Sequence, residues 1–113
     1  MNYTFSDKGK GFLICQEGIC LSPYLDSVGV KTIAIGATVS EIPDIANMSW
    51  NTKITMEEAY SLLDKGLHKY IDAVNKALTV NIMQHQFDAL VSLCYNIGIG
   101  GLSKSTVIKR LNA

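Results

Sequence analysis

The chain carries little charge and a single arginine. Charged residues make up 18% of its 113 residues, the ten basic and ten acidic side chains cancel, and Arg110 is the only arginine. A soluble domain usually has about a quarter of its residues charged. The lysines are scattered singly, whereas a surface that binds nucleic acid needs a basic stripe. The composition therefore excludes a nucleic-acid partner.

Long apolar runs are missing as well. The apolar stretch GFLIC at 11–15 ends at Gln16 and Glu17, well short of the roughly 18 residues that a membrane-spanning helix needs. No signal peptide opens the chain. We therefore predict a protein that does not insert into a membrane and that is made without an export signal of its own.

Cysteine and histidine are too few and too scattered to form a metal site. Neither Cys15, Cys20 and Cys94 nor His68 and His85 have the spacing of metal ligands, and we predict neither a metal nor any other cofactor. Two of the cysteines, at 15 and 94, have apolar neighbours and are expected to be buried, reduced thiols. A redox-controlled bridge that includes the cysteine at 20 stays open as an alternative.

The sequence does contain the patterns of a single folded domain. A chain of this length can build one hydrophobic core, and we interpret 1–113 as a single α+β domain. Ser6 and Asp7 can cap a short helix that ends near Glu17, where Gly18 is suited to the position after the helix. Its expected buried residues are Phe12, Leu13 and Cys15.

A hairpin and a loop complete a predicted small α/β lobe, residues 1–54. Between Cys20 and Thr38 the β-forming side chains flank the turn sequence SVG, which predicts an antiparallel hairpin. The stretch SEIPDIANMSWN that follows, at 40–51, has a proline and little periodicity, and is expected to be a loop.

The second half of the chain is predicted to be helical. Thr55 and Glu58 form a T-x-x-E capping box, and apolar residues then recur at helical spacing. This indicates a connecting helix over 55–80, of which about 22 residues are periodic. A shortened helical lobe follows at 81–113, with one helix that stops at Gly98 and a last helix capped by Ser103.

The chemistry is concentrated in EGICLSPYLDSVGVKT, residues 17–32. Glu17 lies at a helix end among apolar neighbours, where the pKa of its carboxyl should be raised. Asp26 lies in a turn beside Ser27 and should stay ionised. Two carboxyls whose surroundings separate their pKa values are the pattern of glycosidic cleavage, and Thr32 could help to hold a water molecule.

The same residues resemble the phage-type lysozymes, the muramidases of glycoside hydrolase family 24. The pattern E-G-x(3)-S/K-x-Y-x-D-x(5)-T matches with Glu17, Asp26 and Thr32. A second stretch, QFDALVSLCYNIGIGGLSKSTVIKRLN at 86–112, is similar to the family's Q-F-D-A-L-x-S-x-x-x-N-x-G segment and the helix after it. The resemblance covers nearly the whole chain and implies a lysozyme-like fold.

The resemblance implies cleavage of the β-1,4 bond between N-acetylmuramic acid and N-acetylglucosamine in peptidoglycan. By family analogy Glu17 protonates the leaving oxygen, while Asp26 and Thr32 position a water on the opposite sugar face, with inversion. Inversion needs the two carboxyls about 6.5–9.5 Å apart. Four further positions match residues that face the glycan in a cleft between the lobes: Thr38, Tyr95, Asn96 and Ser105.

The chain also departs from the family. TIAIGAT has Ala34 where the family strand has a glycine and Ala37 where it has a histidine. Family members extend well beyond the last matched helix, so the second lobe is expected to be truncated. Its apolar residues should then be exposed and covered by self-association or by a partner: Phe87, Leu90 and Val91.

These departures leave two functions from different classes open. The first is an endolysin-type muramidase of a phage or prophage, held in the host cytoplasm before its release to the cell wall. The second is a catalytically degenerate lysozyme-like domain that binds glycan or a protein partner without cleavage. A generic helical interaction module is a third reading, which the extent of the resemblance disfavours.

Overall fold

The computed structural model describes residues 1–39 and 41–113. Its elements are, in chain order, helix α1 (Asp7–Glu17), strands β1 (Cys20–Leu25), β2 (Lys31–Ala34) and β3 (Ala37–Thr38), a 3-10 helix (Pro43–Asn47), and helices α2 (Met56–Ala77), α3 (Gln84–Ser103) and α4 (Thr106–Asn112). The predicted α+β class is confirmed. None of the helices in the described residues is both long and apolar enough to cross a membrane. The described residues form two compact units, Ile14–Gly66 and Met1–Leu13 with Leu67–Ala113.

The unit Ile14–Gly66 is built on an antiparallel sheet with strand order β1-β2-β3. The predicted hairpin is therefore two strands of a three-stranded sheet, because the chain turns back once more at Ile35 and Gly36. Ala34 enters that turn with a φ of 62°, a left-handed conformation that β-carbon atoms disfavour. This is the position at which the sequence has alanine in place of the family's glycine.

The core of this unit draws on the segment that was expected to be an irregular loop. Six buried residues form the core cluster: Ile33, Ala34, Ala37, Ile45, Ile54 and Ala59. Ile45 belongs to the 3-10 helix and is fully buried. The loop prediction was wrong here, because the burial of one isoleucine by distant residues leaves no periodic signal in the local sequence.

Helix α2 begins as predicted. The amide nitrogen of Glu58 donates to Thr55 Oγ1 at 3.1 Å, and the amide nitrogen of Thr55 donates to Glu58 Oε1 at 3.2 Å. This reciprocal pair is the predicted capping box. The helix has the expected 22 residues and ends at Ala77.

In the other unit, three apolar residues of α3 that were expected to be exposed are buried. Phe87 and Val91 are 0% exposed and Leu90 is 4% exposed. Tyr3 stacks on Phe87 with ring centroids 5.0 Å apart, and its backbone is held by two hydrogen bonds with the side chain of Asn75, of 2.9 and 3.0 Å. The prediction that these three residues would be exposed was wrong, and for Phe87 the cover includes Tyr3 from the start of the chain.

Of the two helix boundaries predicted near the end of the chain, one holds and one does not. Helical geometry is interrupted at Gly98, with φ 83° and ψ 163°, where a helix was predicted to stop, and a second helical stretch then continues to Ser103 as part of α3. Helix α4 starts at Thr106, and its cap is Ser105, whose Oγ accepts from the amide nitrogen of Ile108 at 3.3 Å. Ser103 is thus not the cap. Two serines two residues apart are chemically equivalent candidates, so the local sequence does not distinguish them.

Two predicted burials in α1, one of them that of a thiol, also need correction. Leu13 is buried, but Phe12 is 63% exposed. Cys15 is an exposed free thiol, as is Cys20, whereas Cys94 is buried as expected. In a helix of 11 residues the buried face is narrow, and the run FLIC did not indicate which of its members would face inwards.

Candidate active site

The sheet brings together Tyr24, Asp26 and Thr32 from the 17–32 segment, and Thr38 from β3. Thr32 on β2 is directly opposite Tyr24 on β1 and Thr38 on β3. Directly opposed residues point to the same sheet face, and so do residues two apart along a strand. Asp26 follows Tyr24 by two residues and continues the pairing, since its amide nitrogen donates to the carbonyl of Val30 at 3.0 Å. Tyr24, Asp26, Thr32 and Thr38 therefore share one face.

Asp26 organises the turn between β1 and β2. Its Oδ1 accepts from the amide nitrogens of Val28 at 2.9 Å and Val30 at 2.8 Å, and its carbonyl accepts from the amide nitrogen of Gly29 at 3.0 Å. The side chain is half-buried. Both side-chain bonds fall on Oδ1, so Oδ2 is the oxygen that can accept from a water molecule.

Thr32 is a buried residue with a defined hydroxyl orientation. It is 2% exposed, and its Oγ1 donates to the carbonyl of Val30 at 2.8 Å. Because the proton of the hydroxyl is used within the strand, what remains for a water molecule is an acceptor lone pair. Across the sheet, Thr38 is half-buried, and its carbonyl accepts from the amide nitrogens of Glu41 and Ile42.

Glu17 is the last residue of α1 and lies just before the sheet. Gly18 follows with a φ of 73°, and its amide nitrogen donates to the carbonyl of Ile14 at 2.8 Å, which closes the helix as expected. Burial raises the pKa of the half-buried Glu17 carboxyl above its ordinary value of 4.5. The predicted direction of this shift is confirmed, and its cause is desolvation.

Tyr24 lies near both acids, a neighbour that was not noted in the sequence. The pKa of its phenol is raised above the ordinary value of 10.0, first by burial and then by the charges of Cys20, Glu17 and Asp26. Tyr24 therefore lies within electrostatic reach of both carboxyls. The available signal was its two-residue spacing from Asp26 in a stretch with β-forming side chains.

The remaining three candidates belong to the other unit. Tyr95 is half-buried and meets Tyr70 edge-on, with ring centroids 5.1 Å apart. Asn96 is exposed, and its Nδ2 donates to the carbonyl of Ser92 at 3.1 Å. The hydroxyl of Ser105 caps α4. The structure thus groups Glu17, Asp26, Thr32 and Thr38 in one unit and Tyr95, Asn96 and Ser105 in the other.

The described residues hold no group of three His, Cys, Asp or Glu side chains that could bind a metal ion. The site as described therefore consists of two carboxyls, a phenol and hydroxyls. Such a set can donate a proton, accept a proton and hold a water molecule. These are the steps of hydrolysis by acid and base.

Comparison with known proteins agrees with this chemistry. A family model described as phage lysozyme matches residues 15–113. The endolysin of Salmonella phage P22 is 37% identical over 107 residues, which cover 95% of this chain and 72% of that protein. The endolysin of Bacillus phage PZA is 44% identical over 109 residues, and here the match spans 95% of this chain but only 40% of the relative.

The fold agrees as well. The solved structure of an endolysin from Escherichia coli O157:H7 phage FAHEc1 superposes with a TM-score of 0.88 at 40% identity, over 99% of this chain and 69% of that one. The lysozyme-like fold predicted from the resemblance is confirmed. The chain belongs to the phage lysozyme family, the endolysin-type muramidases that hydrolyse peptidoglycan for cell lysis.

Proposed function

We propose that this chain cleaves the β-1,4 bond between N-acetylmuramic acid and N-acetylglucosamine with inversion, using Glu17 as the acid and Asp26 with Thr32 to position the water. The observation that supports this assignment most directly is the raised pKa of Glu17. The other carboxyl, Asp26, accepts hydrogen bonds from two backbone amides, which fix its position in the turn.

Glu17 supplies the proton in the first half of the reaction. A carboxyl with a raised pKa retains its proton closer to neutral pH, so it can protonate the glycosidic oxygen as the bond from that oxygen to the anomeric carbon breaks. The leaving sugar departs as an alcohol. Glu17 is left as a carboxylate and recovers its proton from solvent.

Asp26 and Thr32 act on the water. One hydrogen of the water faces Oδ2 of Asp26 and the other faces Oγ1 of Thr32, which leaves an oxygen lone pair directed at the anomeric carbon. The new carbon–oxygen bond forms as Asp26 takes the proton. Attack on the face opposite the leaving group inverts the anomeric centre, which requires the carboxyls to be about 6.5–9.5 Å apart.

Four residues are proposed to contact the glycan. Thr38 offers a hydroxyl on the same sheet face as Thr32. The exposed amide of Asn96 can form hydrogen bonds with an acetamido group of the glycan. An aromatic ring can stack on the apolar face of a sugar. The remaining two candidates in this set are Tyr95 and Ser105.

The test is hydrolysis of purified peptidoglycan by the parent chain, by Glu17→Gln and by Asp44→Asn. Asp44 is an exposed acid of the same unit with no assigned role, so its variant controls for the loss of a negative charge. We expect loss of turbidity and release of reducing ends with the parent and Asp44→Asn only. Equal hydrolysis by Glu17→Gln would contradict the assignment. Proton NMR of the first product anomer tests inversion.

A degenerate, glycan-binding domain is the second candidate. One observation favours it: Ala34 adopts a left-handed φ of 62° in the altered strand. Under this reading the purified chain co-sediments with peptidoglycan but releases no reducing ends. Measurable turnover by the parent chain excludes it.

Association and delivery are further parts of the proposal. Self-association or a partner was expected because three apolar residues of the second lobe should be exposed. These residues, Phe87, Leu90 and Val91, are buried, so that reason does not hold. Ile97, at 46% exposed, and Val107, also at 46%, remain on the surface of the unit that includes α3. Sedimentation velocity measures whether the chain associates.

We propose that the protein is held in the host cytoplasm until lysis. Fractionation of infected cells before and after lysis tests this location.

A further inference from the structure

The only tryptophan of the chain lies on an ordered turn. Trp50 is 52% exposed. Around it the amide nitrogen of Asn51 donates to Ser49 Oγ at 3.2 Å, and the amide nitrogen of Thr52 donates to the carbonyl of Ser49 at 2.9 Å. A large apolar ring is therefore presented to solvent by a turn that is itself held in place.

Lys31 fixes the orientation of this indole. Its ammonium nitrogen lies 4.6 Å from the centroid of the Trp50 ring. The same nitrogen donates to the carbonyl of Met48 and, at 3.5 Å, to the carbonyl of Ala46. Because the lysine covers one face of the ring and is anchored to backbone, binding on the ring's other face costs little conformational entropy.

This indole lies away from the candidate catalytic residues of its unit. Lys31 and Thr32 are consecutive in β2, so their side chains point to opposite faces of the sheet. Thr32 shares its face with Tyr24 and Asp26. Trp50, which packs on Lys31, is therefore associated with the other face.

A recess adjoins the lysine's anchor. Met48, whose carbonyl binds Lys31, also lines a cavity of about 520 Å³. This volume lies within the range of ligand sites, about 300–1,000 Å³. Its lining combines apolar side chains with a carboxylate, a hydroxyl and an ammonium: Ile54, Glu57, Ser61, Leu62 and Lys65.

We infer that Trp50 and the adjoining recess form a second binding site, which takes a glycan strand of peptidoglycan outside the catalytic face. The C–H bonds on one face of a β-linked amino sugar point their positive hydrogens at the negative face of an indole. The acetamido and hydroxyl groups of another sugar of the same strand can be matched by the mixed lining of the recess, which shares Met48 with the anchor of Lys31. This inference rests on the proposed function, since it names the same polymer.

A second contact with one polymer changes how the enzyme meets its substrate. Once the indole site is occupied, the catalytic face samples nearby bonds at a high effective concentration. The benefit exists only for substrates long enough to reach both sites. Activity on insoluble sacculi should therefore depend on Trp50 more strongly than activity on a short soluble glycan.

The test measures co-sedimentation with purified sacculi in a Glu17→Gln background, so that no substrate is consumed. We compare this parent with added Trp50→Ala, Trp50→Phe and Tyr60→Ala. Tyr60 is another exposed aromatic of the same unit, at 40% exposed. By helical periodicity it points away from the α2 residues that line the recess.

We expect Trp50→Ala to weaken binding about tenfold, equivalent to the loss of one good contact, while Trp50→Phe recovers part of it and Tyr60→Ala binds like the parent. With Glu17 restored, the ratio of activity on sacculi to activity on a soluble tetrasaccharide should fall about tenfold in Trp50→Ala. Thermal unfolding of each variant excludes a general loss of structure.

Equal binding by Trp50→Ala would overturn the second site and leave the proposed catalysis intact. An equal loss of activity on both substrates would overturn it too, because the residue would then belong to the main site. No binding of sacculi by the Glu17→Gln parent would count against both the second site and the proposed function.

Discussion

Tyr24 and Thr32 are direct partners across β1 and β2, and their side chains share the sheet face that also holds Asp26. The phenol is affected by the charges of both Glu17 and Asp26. A neutral hydroxyl in that position can stabilise whichever carboxyl is ionised at a given stage of the reaction. Tyr24 is therefore expected to position the acids rather than to react.

Tyr24→Phe tests this role. Removal of the hydroxyl from the neighbourhood of both carboxyls should lower kcat about tenfold, the equivalent of about 1.4 kcal/mol. A less polar neighbour also raises the pKa of Glu17 further, so the alkaline limb of the pH–rate profile should move to higher pH. The measurement is kcat from pH 4 to 9. An unchanged profile with unchanged kcat would leave Tyr24 as a packing residue only.

Asp88 restricts what can replace Gly9 in α1. A β-carbon at Gly9 would lie 2.6 Å from Cγ of Asp88. Asp88 cannot easily move, because it accepts from the amide nitrogen of Ser6 at 3.1 Å and from Nε2 of Gln84 at 2.9 Å. Gly9→Ala should therefore destabilise the protein by about 1–3 kcal/mol.

Gly11 provides the matched control on the same helix, because a β-carbon there meets nothing within 4 Å. Gly11→Ala should stabilise the protein by up to about 1 kcal/mol through helix propensity. Urea denaturation measures both variants. If the two substitutions shift the midpoint in the same direction, the close approach of Asp88 to α1 is wrong.

The pKa of Glu17 also sets a dependence of stability on pH. Since burial raises the folded-state pKa, the protonated form is favoured by folding, and this contribution is complete below the unfolded-state value. It is lost as the pH rises through the raised folded-state pKa. Glu17→Gln, which stays neutral, should therefore unfold at a higher temperature than the parent at neutral pH.

Below the ordinary glutamate pKa of 4.5 the two proteins should have nearly the same stability, because Glu17 is then protonated in both folded and unfolded chains. Differential scanning calorimetry at several pH values measures the difference in Tm. A difference that shrinks as the pH rises would show that the carboxylate is stabilised by the fold instead.

The three thiols should differ in reactivity. Cys15 and Cys20 are exposed, whereas Cys94 is fully buried and burial raises the pKa of its thiol to about 11. At pH 8 iodoacetamide should therefore add two groups to the folded chain and three in denaturant. Mass spectrometry counts them, and Cys15→Ser should lower the folded count to one. Rapid modification of Cys94 in the folded protein would contradict its burial.

The features that sequence predicted well are those in which a few neighbouring residues suffice. The capping box of Thr55 and Glu58 involves only four consecutive positions. Gly18 closes α1 for the same local reason. Burial of Ile45 depends on residues far along the chain, and so does the covering of Phe87 by Tyr3. A single sequence carries no local signal for either contact.

The candidate site divides along the same line. Glu17, Asp26 and Thr32 have a spacing that one chain segment contains completely, and it was recognised as a motif. The electrostatic link through Tyr24 depends on the register of β1 against β2, which is known only once the strands pair. The hydrogen bonds of Asp26 within its own turn were also not predicted from the sequence. They give this residue a structural role beside the proposed catalytic one.

Asp26 has two functions that a suitable pair of variants can separate. Its Oδ1 holds the amide nitrogens of Val28 and Val30, and its charge is proposed to take a proton from water. Asp26→Asn keeps a carbonyl oxygen for the two amides but cannot act as a base. It should retain the parent's Tm within about 2 °C, since a surface change without lost bonds costs little, while kcat falls about 10²–10⁴-fold.

Asp26→Ala removes both functions. Two backbone amides lose their acceptor, which should destabilise the protein by about 1–3 kcal/mol, and activity should be lost as well. Tm and reducing-end release are measured for both variants. If Asp26→Asn is fully active, Asp26 is a turn residue and the base lies elsewhere. If Asp26→Asn unfolds as readily as Asp26→Ala, the two amide bonds depend on the charge, and the loss of kcat cannot be assigned to the base alone.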